Sequence, residues 1–488
     1  MTHASLRDYI KQLEKKKQLV RIKTPVSSHL EITEIQKRIT AQGKSAVIFE
    51  NVVDKNGKPY DMPIVSNLYS SIDRIKLGLG TDNLQKLGEM LAFLRQPSPP
   101  SGIKEAFSML PAYRNTLNMK PKTVSKAACQ EVILQGDDID LSQIPIQYCH
   151  PNEPAPLITW GLVVTKPHDE GNENVAVYRM QVLSKNKTIM RWLSHRGGAR
   201  HFLTWQKAGV KKMPVAVVIG ADPATTIAAT TPVPETISEY EYSGLLRGKK
   251  LELVNCKTIP LQVPANAEII LEGHVLTDEV HEEGPYGDHT GYYNSVEKFP
   301  VFEISAITMR KDPIYHTTHM GRPPDEPSVI GQALNEMFVP ILKKQFPEIV
   351  DFWLPPEACS YRIAVISIKK EFPAHAKRIM MGVWSYLRQF MYTKFVIVVD
   401  DDINCRDWAD VMWAVATRVD PARDSLIIEN TPIDYLDFAS PKRSLGSKMG
   451  IDATNKSYPE VDRTWGTPIT MTDDIIRKVD KKWDDYGI

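Results

Sequence analysis

Between residues 122 and 311 the chain is a succession of short β-forming runs separated by turn residues, and no other feature restricts its fold so strongly. The runs fall at residues 157–165, 175–183, 188–193, 215–220, 251–254, 268–275 and 302–309. Many short strands with few helices between them argue for a β-barrel or sandwich. In the second run Val177, Arg179 and Gln181 alternate with Tyr178, Met180 and Val182, so the two sets face opposite sides of one strand.

The flanking segments carry a different pattern. Ser5 is placed to cap a helix, with Asp8 three residues on, and Leu6, Tyr9, Ile10 and Leu13 make its apolar face. A second helix over 31–42 and strands at 46–50 and 63–68 complete a small α/β unit. Beyond the turn-rich string 321–327, a helix capped by Ser328 runs to about residue 345. Another spans 374–392, and a third carries Trp408, Val411, Met412, Val415 and Val419; strands at 362–368 and 395–399 alternate with them. A chain of 488 residues exceeds the ~100–200 of a single domain. The expectation is a mixed α+β and α/β multidomain protein: an N-terminal α/β domain over 1–120, a β-barrel domain over 121–320, a C-terminal α/β domain over 321–440, and an extended arm with a terminal helix over 441–488.

Composition narrows the function. A formal net charge of +1 gives no field that would gather nucleic acid. A barrel reading RNA through Arg191, Trp192 and Arg196 is disfavoured, because no basic and aromatic pattern repeats. No apolar run approaches the ~20 residues of a membrane helix, and the N-terminus leads into a charged helix. The five cysteines (Cys129, Cys149, Cys256, Cys359, Cys405) are scattered without a Cys-x-x-Cys pair, which suits free thiols in the cytoplasm. There is no Walker loop, no Gly-x-Ser-x-Gly elbow and no His-Glu-x-x-His, and Gly78-Leu79-Gly80 lacks the third glycine of a dinucleotide fingerprint.

Several segments can carry chemistry. Arg179 inside a strand needs an anionic partner, whether a structural carboxylate or a ligand. The string Arg191-Trp192-Leu193-Ser194-His195-Arg196-Gly197-Gly198 can surround a phosphate or form a solvated basic loop. Asn174, His195 and Glu239 together would offer two oxygens and a nitrogen, a set better suited to manganese or magnesium than to zinc. Glu283 and Asp288 flank a Gly-Pro-x-Gly turn. If both reach one pocket, like charge and desolvation raise one of their pKa values and make a proton donor, the alternative being an acidic surface turn. Lys394, before the strand 395–399, is read with equal ease as a surface or a ligand cation. Asp400, Asp401 and Asp402 read as turn and cap residues for a helix starting near Arg406.

Taken together these strings resemble the UbiD family of decarboxylases. The likeness rests on Tyr178-Arg179, residues 191–198, Glu239-Tyr240 and residues 283–293, and extends from Leu6-Arg7-Asp8-Tyr9 to Thr464-Trp465-Gly466, through 321–327 and 430–440. It implies a flavin-reductase-like split β-barrel in the middle of the chain and a prenylated FMN, with manganese bridging its phosphate and a nearby potassium ion. Asn174, His195 and Glu239 would hold manganese. Val177, Tyr178, Arg179, Arg191, Trp192, Leu193, Arg196 and Gly197 would line the cofactor, and Lys394 would reach its phosphate. Arg179, Glu283 and Asp288 would form the catalytic network, with Asp288 the proton donor and Phe438 at the border of the substrate pocket. The implied reaction is the non-oxidative decarboxylation of a 3-polyprenyl-4-hydroxybenzoate to a 2-polyprenylphenol in ubiquinone biosynthesis, through a substrate–cofactor adduct. It further implies a flavin prenyltransferase as cofactor supplier, a homohexamer, and peripheral contact with the membrane that holds the isoprenoid tail.

Overall fold

The β-rich middle of the chain closes on itself. In the computed structural model, which describes residues 3–95, 115–194, 196–233, 236–386 and 388–487, six strands carry the closure. They are β1 (Leu157–Thr165), β2 (Asn174–Val182), β3 (Lys187–Met190), β4 (Lys212–Ile219), β5 (Ile269–Glu283) and β6 (Glu297–Met309). Their order is β3-β2-β1-β4-β5-β6, with β6 returning to pair with β3, and every pairing is antiparallel. Closure removes the sheet edges that an open array would expose.

The runs in β1 and β4 are continuously apolar because both of their faces are covered. Val163, Val215 and Val217 pack with Tyr178, Met180, Met190, Trp192 and Phe302. Leu162, Val164, Ala216 and Val218 pack on the other side with Cys129, Val254 and Val263. β5 is 15 residues long and breaks register with β6 between Glu272 and Gly273 and again between Val275 and Val280. Such irregularities bend a strand and turn its far end. Gly273 is required at the first, since a Cβ there would meet the carbonyl oxygen of Glu303 at 2.1 Å. The far end of β5 carries Glu283.

The first helix, Leu6–Lys15, is capped by Ser5 and buries Leu6, Tyr9, Ile10 and Leu13 as its pattern requires. The N-terminal sheet takes its fourth strand, Tyr315–His316, from the chain leaving the barrel, which ties the two regions together. The C-terminal sheet has the order Ile349–Trp353, Ile363–Ile368, Phe395–Asp400, Leu445–Ala453, Ser425–Pro432.

Three sequence expectations change here. Leu445–Ala453, expected within an extended arm, is an interior strand of that sheet. Its glycines admit neighbours: a Cβ at Gly450 would meet Met380 Sδ at 2.4 Å. Its buried Lys448 donates to the carbonyls of Met391, Thr393 and Pro432, so a composition that suggested a loop is consumed by packing. The helix Glu326–Gln345 is capped by Asp325 rather than Ser328, which occupies the reciprocal position of a capping box. Asp400 and Asp402 bind Arg418, at 3.2 and 2.7 Å, while Asp407 caps the helix Trp408–Arg418.

Candidate active site

Arg179 lies within β2, Glu283 ends β5, and Asp288 follows in the loop between β5 and β6. The bends in β5 bring the three together. Arg179 donates from Nε to Glu283 Oε1 at 2.7 Å and from Nη2 to Glu283 Oε2 at 3.1 Å, a bidentate pair, while Nη1 donates to Asp288 Oδ2 at 2.9 Å. All three side chains are buried. Charges removed from water persist only when paired with good geometry, and this triad meets that condition. Arg191, just beyond β3, adds a second cation whose Nε stands 3.5 Å from Glu283 Oε2.

The loop that presents Asp288 is held at many points. The backbone N of Gly284 donates to Gln181 Oε1, the N of Tyr286 to Asn294 Oδ1, and the Tyr286 hydroxyl to the carbonyl of Ala155. The N of Asp288 donates to the carbonyl of Tyr292. Gly284 has φ +95°, a left-handed conformation that side chains disfavour, and a Cβ at Gly287 would lie 2.5 Å from the His150 ring. The glycines of this string therefore serve geometry.

The expected rise of one carboxyl pKa does not occur at Asp288. Burial does oppose its charge. The hydrogen bond from His289 and the charges of Arg179, His289 and Arg191 outweigh burial and hold Asp288 well below the usual carboxylate range. His289 moves the other way: burial lowers its pKa, but the bond to Asp288 and the charges of Asp288 and Asp434 raise it above the ordinary imidazole value. The turn chemistry was legible in the sequence, and Arg179 entered through the family resemblance; the hold of Arg191 and His289 on the charge of Asp288 was not legible.

A second cluster starts five residues before Arg179 on β2. Asn174 opens the strand, and the neighbouring N of Val175 donates to Glu239 Oε2 at 2.8 Å. Glu239 begins the helix Glu239–Arg247, which Ser238 and Glu241 close with a capping box. Burial pushes the Glu239 carboxyl up to about 7, the behaviour of an acid that lacks a cation. Asn174 Nδ2 is buried without a partner, as is Trp192 Nε1. The helix Gly197–Lys207 starts against them: a Cβ at Gly197 would meet Asn174 Oδ1 at 2.0 Å, and the N of Gly198 donates to the Tyr178 hydroxyl at 3.0 Å. Glycines at a helix N-terminus, a carboxylate and an amide oxygen fit a phosphate with a hard divalent cation. The cluster thus joins Asn174, Tyr178, Trp192, Gly197 and Glu239. His195, the nitrogen donor expected with them, lies outside the described residues. Val177 packs between two cores, Leu193 is half-buried, and Arg196 is the exposed N-cap of the helix.

The C-terminal region brings Tyr435, Arg362 and Asp437, which sequence reasoning left without a role, together with the expected Lys394 and Phe438. The Tyr435 hydroxyl is hydrogen-bonded to Arg191, and both the Tyr435 and Phe299 rings lie 5.6 Å from its guanidinium carbon. Lys394 sits 2.9 Å from Asp437, which Arg362 also approaches at 3.5 Å. The rings of Phe438 and Tyr292, each more than half exposed, meet edge-on at 5.9 Å. The string 430–440 had marked this segment, but only the fold brings it over the barrel.

Three family models match the chain in order: the 3-octaprenyl-4-hydroxybenzoate carboxy-lyase N-terminal domain at 10–93, its Rift-related domain at 122–323 and its C-terminal domain at 328–453. The chain belongs to the UbiD family. The UbiD-class enzyme HmfF from Pelotomaculum thermopropionicum, solved with FMN, is 29% identical with a TM-score of 0.80, over 95% of this chain and 97% of that one. The vanillic acid decarboxylase of Sedimentibacter hydroxybenzoicus in closed form is 27% identical with a TM-score of 0.82, over 99% of each chain. The 3,4-dihydroxybenzoic acid decarboxylase of Enterobacter cloacae shares the fold, with a TM-score of 0.79 at 22% identity over 98% and 99% of the two chains. The closed barrel with its mixed α/β flanks is the UbiD fold. No helix among the described residues is long and apolar enough to cross a membrane.

Proposed function

We propose that this chain removes the carboxyl group of a 3-polyprenyl-4-hydroxybenzoate, releasing carbon dioxide and a 2-polyprenylphenol of the ubiquinone type. The observation that carries the reading is the buried triad of Arg179, Glu283 and Asp288, whose Arg179 shares β2 with Asn174, the residue beside Glu239 in the second cluster. Decarboxylating a benzoate leaves an electron pair in the ring plane, where the π system cannot take it up. A bound prenylated FMN supplies the electrophile that no side chain offers. Asn174 and Glu239, with His195, would hold manganese at its phosphate; Gly197, Trp192 and Tyr178 would shape the cradle, with a potassium ion nearby.

The chain's own groups do the rest. Arg179 orients the substrate carboxylate, and Glu283 keeps the guanidinium in place through the bidentate pair. Asp288 delivers a proton to the ring carbon that carbon dioxide leaves. The exposed rings of Tyr292 and Phe438 give an apolar substituent somewhere to lie as it leaves the site. The reading also carries a homohexamer, a flavin prenyltransferase as cofactor supplier, and contact with the membrane surface where the tail resides. A second reading, a smaller aromatic acid such as vanillate, is favoured by the match to the vanillic acid decarboxylase.

The test is anaerobic carbon dioxide release by protein co-produced with a flavin prenyltransferase, offered 3-prenyl-4-hydroxybenzoate and vanillate separately. Turnover of the prenylated acid alone is expected. Turnover of vanillate alone establishes the second reading, and turnover of neither by flavin-loaded protein overturns both.

A further inference from the structure

Both oxygens of Asp288 already accept hydrogen bonds. Oδ2 accepts from Arg179 Nη1 at 2.9 Å; Oδ1 accepts from the backbone N of His289 at 2.8 Å and from its ring Nδ1 at 2.8 Å. Three N–H donors around one carboxyl group favour its ionised form. An ionised Asp288 cannot protonate carbon, so its proton has to come from a neighbour. A guanidinium and an amide do not give up a proton near neutrality; an imidazolium does. His289 is thus the donor on Asp288 with a transferable proton. Its ring is mostly buried, with 18% of the side chain exposed, and its Nε2 has no hydrogen-bond partner.

The groups facing this ring favour the charged form on balance. Asp288 bonds to it, Asp434 and Asp325 act on it from the C-terminal region, and Arg362 opposes them; the neighbouring Tyr361 ring is 6.5 Å away, and its hydroxyl donates to Asp434. Around the triad, Arg179, Arg191 and the His289 ring face two carboxylates (Glu283, Asp288), an excess of one positive charge when His289 is protonated. An arriving substrate carboxylate balances that charge. In engaging Arg179, it weakens the support that Arg179 gives to ionised Asp288.

We propose that His289 stores the proton that Asp288 delivers, acting through Asp288 as a positioning residue. On substrate entry the His289 Nδ1–H bond breaks and an Asp288 Oδ1–H bond forms, leaving a neutral imidazole beside a carboxylic acid. When the bond to the carboxyl carbon breaks, its electron pair stays on the ring carbon and takes the Asp288 proton. The imidazole regains a proton from solvent, so each carbon dioxide released consumes one solvent proton. The inference rests on the decarboxylase reading for its purpose, whereas the His289–Asp288 couple can be measured without turnover.

Two measurements test it. In the flavin-free chain, the ¹⁵N imidazole resonance of His289, assigned by its loss in His289→Asn, is expected to titrate at higher pH than in Asp288→Asn. An identical titration in the two proteins overturns the proposal whether or not any acid is decarboxylated. In the loaded enzyme, His289→Asn keeps a short N–H donor but carries no transferable proton. It is expected to lose roughly 10²-fold in kcat, in keeping with the removal of an acid–base group. KM is expected to hold within about two-fold, with loss of the alkaline limb that His289 deprotonation gives the wild-type kcat profile. His289→Gln serves if the asparagine variant loses flavin. A merely structural His289 would lower stability or flavin content and leave the alkaline limb in place, which refutes the store. Failure of all substrates, with the resonance behaving as expected, refutes the decarboxylase reading and leaves the proton couple standing.

Discussion

Replacing Arg179 by methionine keeps a long apolar stem on β2 and removes only the guanidinium. That group makes three N–H···O bonds, of 2.7, 3.1 and 2.9 Å, to two carboxylates in a buried site. Stripping one partner from a buried ion pair costs about 3–5 kcal/mol. Arg191, at 3.5 Å from Glu283, and His289, on Asp288, stay behind as partial counterions, which places the expectation near the lower end, about 3 kcal/mol. For a barrel of this size, that is a drop of about 6–12 °C in the midpoint of its thermal transition. The pH dependence separates charge from packing. In the wild type the depressed pKa of Asp288 contributes stability that is full above the unfolded carboxyl range and is lost as the pH falls below it. In Arg179→Met, the burial of Asp288 is opposed by fewer charges, so its carboxyl takes up a proton more readily and the variant recovers relative to wild type as the pH falls from about 7.5 to about 5. Calorimetry of the flavin-free proteins at both values checks this. A midpoint near that of wild type at the higher pH, or a gap that does not narrow at the lower, would refute the account of a buried triad held by Arg179.

Other changes probe separate parts of the site. Asp288→Asn is expected to abolish carbon dioxide release while the flavin absorbance of loaded protein stays; loss of flavin would make Asp288 structural. Gly197→Ala, whose Cβ would meet Asn174 Oδ1 at 2.0 Å, is expected to expel manganese and flavin together, measured by elemental analysis and absorbance, with the fold intact by circular dichroism. Glu326, buried and bonded to the N of Tyr69, has its carboxyl pushed up to about 7 by burial. A raised folded pKa gives stability that is full below the unfolded carboxyl range and fades as the pH rises through 7. Glu326→Gln is therefore expected to flatten the melting temperature over that window; an unchanged slope rules Glu326 out as its source.

Much of the architecture was legible because β-strands and amphipathic helices write their periods locally. The Leu6–Leu13 face and the apolar runs of β1 and β4 follow from which residues can be buried together, and each was readable without knowing its partner. Leu445–Ala453 was not, because Gly446, Lys448 and Gly450 look like loop residues until Met380 and three backbone carbonyls surround them. Tyr435, Arg362 and Asp437 lie too far along the chain from β2 for any local pattern to link them to it.

The site divides in the same way. The sequence by itself determined which chemical groups were available: the Arg179 strand, the Gly197-Gly198 turn, and the two acids flanking Gly284 and Gly287. The tertiary structure decided what those groups do. Arg179 and Glu283 are 104 positions apart, and only barrel closure and the bends in β5 make them a bidentate pair. The charge state of Asp288 depends on His289 beside it, on Arg179 of β2 and on Arg191 just beyond β3. Burial alone would have made it a neutral acid, and its surroundings make it an anion. The reason is physical: residue identity and spacing are local properties of a chain, whereas ionisation responds to every charge within a few ångströms, and those neighbours are assembled only by folding.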